Sequence, residues 1–311
     1  MGASPPGRYV SIDGTRLHVD ERGSADAPPL LYLHGGPGQG CFDFMACQGD
    51  ALAKDLRVIG FDQRGVLYSD PLSDGVSLTE DDLVEDAEAL REALGIEHWA
   101  VLGHSFGARL ALRYAAGHPD TVAKVIFDCP PWDHAHGMPY MFEAALPMLT
   151  ELGQTEAIRE ARSIIADPPP LDYDTWLRRT AILDALGDRR NELYLERNDL
   201  IAQPDGPYPS AAVDATYHER GSTHAEAVTK SGSFSESLLP LLSKVGQPAL
   251  LIKGSADPVT SPTEIARFRS DLPHGRVEIF EKSGHFPQLE EPERYTETVR
   301  GFVLGEQPAL A

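Results

Sequence analysis

The residues of this chain best suited to chemistry are a serine, a histidine and an aspartate. Ser105 sits in Gly103-His104-Ser105-Phe106-Gly107, a G-x-S-x-G run. Such a run makes a tight strand-to-helix turn that lifts the serine clear of a sheet edge. Serine attacks a carbonyl only when a base takes its proton and a third group orients that base. His285, in Ser283-Gly284-His285-Phe286, follows the last apolar strand-like run and is the expected base. Asp257, in Gly254-Ser255-Ala256-Asp257-Pro258, follows the preceding one and is the expected orienting acid. Asp-Pro is also a turn signal, so the bland reading of Asp257 is a turn residue. The chain order Ser105, Asp257, His285 favours the chemical reading. His104 lies inside the turn and is expected to point away from the nucleophile. The G-x-S-x-G run arises often by chance. The buried strand before it and the apolar helix after it supply the context the mechanism requires.

Acyl transfer also needs two backbone N–H groups aimed at a developing oxyanion. Phe106, next after the serine, is expected to supply one. The turn His34-Gly35-Gly36-Pro37-Gly38, directly after a buried apolar run, supplies the other through Gly36. Gly35 is expected to border the substrate. A plain tight turn is the competing reading of these five residues.

The elements that must position these groups follow from patterning. Tyr9–Ile12 and Arg16–Asp20 flank Asp13-Gly14, a hairpin signal. Pro29–Leu33, Arg57–Phe61, Trp99–Leu102, Val122–Phe127, Ala249–Ile252 and Val277–Phe280 are short apolar runs of strand type. Leu78–Leu94 has helical periodicity, with Thr79 as N-cap and Gly95 as stop. Phe106–Ala116 and Glu291–Val303 are further helices. Alternating strands and helices with continuous apolar strands predict an α/β fold, a mostly parallel eight-stranded sheet with helices on both faces. Between Pro130 and about Ser233 the rhythm breaks. Prolines cluster, and helical stretches dominate at Tyr140–Leu152, Glu156–Ala166, Thr175–Leu186 and Glu192–Ile201. Sheet rhythm is expected to resume with Leu238–Val245 and Pro248–Gly254. The predicted organisation is a core of residues 1–130 and 234–311, with a helical cap inserted at 131–233.

Composition narrows the function classes. A net charge of −21 repels phosphate backbones, which argues against nucleic-acid binding, and favours solubility and attraction of cations. No apolar run approaches the ~20 residues of a membrane span. Cys41, Cys47 and Cys129 are odd in number and lack metal-type spacing, so they read as reduced thiols in a cytoplasmic protein. Residues 1–8 lack a basic segment followed by an apolar one, so no signal peptide is expected. Oligomeric state is not legible.

With these residues in view, the chain resembles the α/β-hydrolase superfamily and, more narrowly, the proline iminopeptidase group of serine aminopeptidases. The resemblance rests on His34–Gly38, on Asp62-Gln63-Arg64-Gly65 with Ser69, on Gly103–Gly107, and on Asp257 and His285. It implies the α/β-hydrolase fold with a helical cap, no metal or other cofactor, and an oxyanion hole of Gly36 and Phe106. It further implies hydrolysis of an N-terminal residue from a short peptide or small amide with a free amino terminus. Cap glutamates would bind the α-ammonium, with Glu196 and Glu219 favoured over Glu192 and Glu226. The chain departs from the group's pattern in two places. Its turn reads Gly-His-Ser-Phe-Gly, and Leu67 stands where a glycine is frequent. Asp62 and Arg64 read as a structural lock on the loop beside the oxyanion turn.

Two other classes fit the same residues. An esterase, lactonase or carbon–carbon bond hydrolase would use the same triad. A small-molecule receptor would keep the scaffold with little turnover.

Overall fold

The computed structural model describes residues 7–73, 75–201 and 215–306. Strands β1 (Arg8–Ile12) and β2 (Thr15–Arg22) form an antiparallel hairpin whose register brings Ile12 opposite Thr15. The two-residue turn between them is Asp13-Gly14, with Gly14 at φ 74°, the left-handed geometry that a tight hairpin needs. Strands β3 (Pro29–Leu33), β4 (Arg57–Phe61), β5 (Trp99–His104), β6 (Val122–Asp128), β7 (Ala249–Gly254) and β8 (Arg276–Phe280) complete an eight-stranded sheet. Its order is β1-β2-β4-β3-β5-β6-β7-β8. The β1–β2 and β2–β4 pairs are antiparallel and the remaining pairs are parallel. The central strands β5 and β7 are buried at every residue, as strands covered on both faces must be.

Helix α1 (Glu80–Ala93) begins at Thr79, which forms a reciprocal capping box with Asp82, and the chain turns off at Gly95, φ 65°. Helix α2 (Phe106–Gly117) follows β5 directly. With α1 it covers one face, in a core that includes Leu83, Leu90, Leu110 and Tyr114. The other face packs Leu30, Val58, Leu102 and Ile252 against Tyr295, Val299 and Phe302 of the closing helix.

Between β6 and β7 the chain forms helices α3 (His134–Glu151), α4 (Thr155–Ala166), α5 (Tyr173–Asp184) and α6 (Ala215–Lys230). Helix α7 (Pro262–Asp271) follows β7, and α8 (Pro292–Leu304) closes the chain. The expected helix over Glu192–Ile201 is two short pieces, Arg190–Tyr194 and Asn198–Ile201. The expected strand-like run Leu238–Val245 contains a 3₁₀ helix over Leu239–Lys244 instead, with Pro240 in its first turn.

The ends of the helical segment lie side by side. The Leu238 N–H donates to the Trp132 carbonyl at 2.9 Å, and the Ser237 hydroxyl donates to Asp133 at 2.5 Å. Asp133 also caps α3 by accepting from Ala135 and His136, and its own N–H donates to buried Glu264 on α7.

Candidate active site

The carboxyl ends of the parallel strands meet along one edge of the sheet, where such folds place their ligands. Ser105 follows β5 at φ 52°, ψ −121°. That backbone is strained for a residue with a side chain, by roughly 1–3 kcal/mol. Two glycines make the turn possible. A Cβ on Gly103 would lie 2.1 Å from the Gly107 carbonyl oxygen, and one on Gly107 would lie 2.0 Å from that of Leu33. Strand and helix therefore approach as closely as the motif requires.

The structure brings Ser105, Phe106, Gly36 and His285 to the wall of one cavity of about 770 Å³. Phe106 opens α2, where first-turn N–H groups have no partner within the helix. Gly36, at φ 116°, is exposed to the cavity. Gly35 is buried instead and does not line the cavity. A Cβ there would press on the Ser105 Cβ at 3.2 Å, so this residue seats the serine.

His285 and Asp257 are both buried. The imidazole Nδ1–H donates to Asp257 Oδ1 at 2.8 Å, which leaves Nε2 for proton transfer. Asp257 also accepts from the N–H groups of Val259 (2.9 Å) and Thr260 (3.1 Å). Lys253, invisible to the sequence reading, places its buried ammonium 3.7 Å from the same carboxylate. Burial pushes the Asp257 carboxyl up, but His285, Lys253 and the Val259 N–H outweigh it and hold it well below the usual range. Burial also pulls His285 down, and Asp257 only partly opposes this, so the imidazole titrates below its ordinary value of 6.5. A base must be unprotonated to act. The kcat/KM profile is therefore expected to hold as pH falls to about 6.5 and to decline below it. An acid limb centred above pH ~7 would show that another group controls the reaction.

Two neighbours fix the His285 loop. Its backbone N–H donates to the Tyr194 carbonyl at 2.7 Å. Glu290 accepts from the Gly284 N–H at 2.6 Å and, on its other oxygen, from the N–H groups of Glu196 and Arg197. His104 does not turn away from the site. Its Nδ1 donates to Asp128 at 3.1 Å, and its ring centroid lies 4.9 Å from that of His285.

The Asp62–Ser69 run braces the turn that carries Gly36. Asp62 accepts from the Cys41 N–H, and the Gln63 N–H donates to His34 Nε2 at 3.1 Å. Arg64 pairs with Asp86 on α1, and its carbonyl accepts from His224 on α6. Leu67 sits at φ 37°, the left-handed geometry for which glycine is better suited. Arg220 of α6 donates to the Leu67 and Ser69 carbonyls. Gly38 and Gly221 touch backbone to backbone, because a Cβ on either would lie within 2.4 Å of the other's carbonyl oxygen.

Glu196 and Glu219 do not reach the cavity. Both are exposed, and Glu196 is held through its backbone by Glu290. Glu192 pairs with Arg189 away from the wall. Glu226 does line the cavity, exposed and paired with Lys230. Cys41, Cys47 and Cys129 are all free, and burial raises their thiols, that of Cys47 to about 12. Cys129 lies beside Asp257 and His285, the one group among the described residues with metal-compatible spacing. Among the described residues no helix is long and apolar enough to cross a membrane.

The profile of the α/β hydrolase fold family matches residues 28–292. The chain belongs to this family. Within the α/β hydrolases it is similar to the proline iminopeptidase of Heyndrickxia coagulans, 26% identical over 310 residues that cover 95% of this chain and 97% of that protein. The proline iminopeptidase of Xylella fastidiosa (strain 9a5c) is 42% identical over 114 residues, which cover 37% of this chain and 36% of the relative. The crystal structure of a proline iminopeptidase-related protein from Thermus thermophilus superposes with a TM-score of 0.70 at 24% identity, covering 97% of this chain and 98% of that one. The chain is thus a proline iminopeptidase-like hydrolase of the α/β fold.

Proposed function

We propose that this hydrolase cleaves an N-terminal aminoacyl residue from a short peptide or small amide through a Ser105–His285–Asp257 triad. The observation that carries the triad is the 2.8 Å bond from His285 to Asp257, with Ser105 and His285 on the wall of one cavity. His285 Nε2 takes the Ser105 proton, and Ser105 Oγ attacks the carbonyl carbon. The N–H groups of Gly36 and Phe106 receive the oxyanion. His285 then protonates the leaving amine, and water, deprotonated by the same imidazole, releases the acid from Ser105. Asp257 stays ionised throughout, orienting His285 and stabilising its cationic form. The described residues of the 131–233 segment act as the cap over this site.

The aminopeptidase assignment rests on similarity to proline iminopeptidases along nearly the whole chain. The test compares free and N-acetylated aminoacyl amides. A site that pairs with the α-ammonium loses most of its kcat/KM when that group is acetylated, because its own polar partners are then left unsatisfied. Equal rates would remove the aminopeptidase assignment.

A second reading, an esterase, lactonase or carbon–carbon bond hydrolase with the same triad, draws support from one observation. Among the described residues, the buried charge on the cavity wall outside the triad is cationic, Arg179, and the wall's cap carboxylate, Glu226, is exposed and already paired. Uncharged aryl esters turned over much faster than any aminoacyl amide would establish this reading.

A further inference from the structure

Buried cations in this molecule are generally answered by an acid. Arg109 meets Glu80 and the carbonyls of Pro131 and Trp132, and Lys253 meets Asp257. Arg179 of α5 is different. It is 7% exposed and lines the cavity that holds Ser105. Among the described residues no carboxylate pairs with it. Its Nη1 lies 3.4 Å from His134 Nδ1, its Nη2 lies 3.7 Å from the Met141 sulfur, and its Nε has no partner. The guanidinium carbon sits 5.1 Å from the centre of the Trp176 ring. Arg190, on the same wall, is instead already paired with Asp184 at 2.7 Å.

His134 extends the pattern. If Arg179 donates to Nδ1, that nitrogen carries no hydrogen, and the neutral ring bears its proton on Nε2. That Nε2 is also buried and without a partner. Burial, reinforced by Arg109 and Arg179, holds the imidazole well below the ordinary histidine range, so the ring is neutral. Burial pulls Arg179 down only to about 10, so it stays cationic near neutrality. Among the described residues the wall therefore presents a cation with no carboxylate partner and a second donor with no acceptor, both desolvated. An isolated buried charge is strongly penalised unless something pairs with it.

We propose that Arg179 and His134 form a carboxylate-binding subsite, so that the substrate processed at Ser105 carries a carboxylate group held by the guanidinium. A planar guanidinium offers parallel N–H groups that match the two oxygens of a carboxylate. The proposal rests on Ser105 being the nucleophile. The carboxylate has two possible sources, the free carboxy terminus of a short peptide or an acidic group on an ester.

The experiment compares two matched pairs, alanyl-alanine against alanyl-alanine amide, and mono-4-nitrophenyl glutarate against 4-nitrophenyl butyrate. The ratio of kcat/KM, acid over neutral, is measured for the wild type, Arg179→Met and Arg179→Lys. The expected result is a ratio of about 10–100 in at least one pair, the size of a charge-assisted hydrogen bond. The pair that responds identifies the source. The ratio collapses to near one in Arg179→Met and is partly kept in Arg179→Lys. Titration of Ser105→Ala with 4-phenylbutyrate and its amide reads binding without turnover, and the acid should bind more tightly only when Arg179 is present. Arg179→Met should melt no lower than wild type, because removing an unpaired buried cation costs no native contact of comparable strength. No acid preference in either pair, a preference that survives Arg179→Met, or a large fall in melting temperature with both substrates equally impaired would overturn the proposal. Labelling of Ser105 by a fluorophosphonate is run in parallel. Absent labelling refutes the nucleophile assignment, whereas normal labelling with no acid preference refutes only the subsite.

Discussion

Replacing Ser105 by alanine lowers kcat by roughly 10⁴–10⁶-fold, with the protein still folded. The turn already holds a Cβ-bearing residue at φ 52°, so alanine adds no strain, and only the hydroxyl is lost. The backbone donors assigned to Gly36 and Phe106 remain, and they account for the slow residual turnover that such sites retain. Two readouts check the result. Single-turnover kinetics should lose the acylation phase, and mass spectrometry should find a fluorophosphonate adduct on Ser105 in the wild type and none in the variant. A loss under about tenfold would mean that Ser105 is not the nucleophile.

Asp257→Asn is expected to be nearly as damaging, with kcat reduced on the order of 10⁴-fold. The carboxylate accepts from His285 Nδ1–H at 2.8 Å and so fixes which nitrogen faces the serine. An amide can instead turn its NH₂ toward Nδ1, which selects the tautomer with the proton on Nε2, where it blocks attack. The amide also cannot stabilise the imidazolium formed as Ser105 attacks. Lys253, 3.7 Å from the carboxylate, would lose its counter-charge and keep the backbone carbonyls of residues 254 and 257 and the face of Tyr140. A lower melting temperature should therefore accompany the kinetic loss. Near wild-type turnover in a well-folded variant would exclude Asp257 as the orienting acid.

The parts of the fold that local sequence can specify were readable in advance. Asp13-Gly14 forces a tight hairpin, Thr79 and Gly95 bound α1, and Gly103 and Gly107 leave room for the turn at Ser105. What escaped depends on contacts between distant residues. Helix α6 carries Gly221, Ser222, Thr223 and His224, all indifferent or poor helix formers. It is held by Arg220, Gly221 and His224 against Gly38 and the loop of residues 64–69. Leu238–Val245 is apolar, but it is too short for its hydrophobicity alone to separate strand from helix, and Pro240 turns it into a 3₁₀ piece. In the candidate site, motif spacing pointed to Ser105, Asp257 and His285, whereas Lys253 and Glu290 support them through burial that no motif encodes. Arg179 reads in sequence as an ordinary helix arginine beside Arg178. Only the packing of α5 separates the two, with Arg178 paired to Glu160 on an exposed face and Arg179 turned inward. The same limit explains Glu196 and Glu219, whose charge was visible and whose outward direction was not.

The pairing of Leu238 with Trp132, and of Ser237 with Asp133, has a consequence for how this protein can diverge. The polypeptide departs from the sheet and rejoins it at adjoining points, so the long intervening stretch forms a topologically self-contained excursion. Closing so long a loop costs little more than closing a shorter one. Insertions or deletions there that spare the contacts of Tyr194, Arg220 and His224 leave every strand terminus, and with them the proposed reactive trio, where they stand. Selectivity is free to drift in one module while the hydrolytic apparatus is kept in the other.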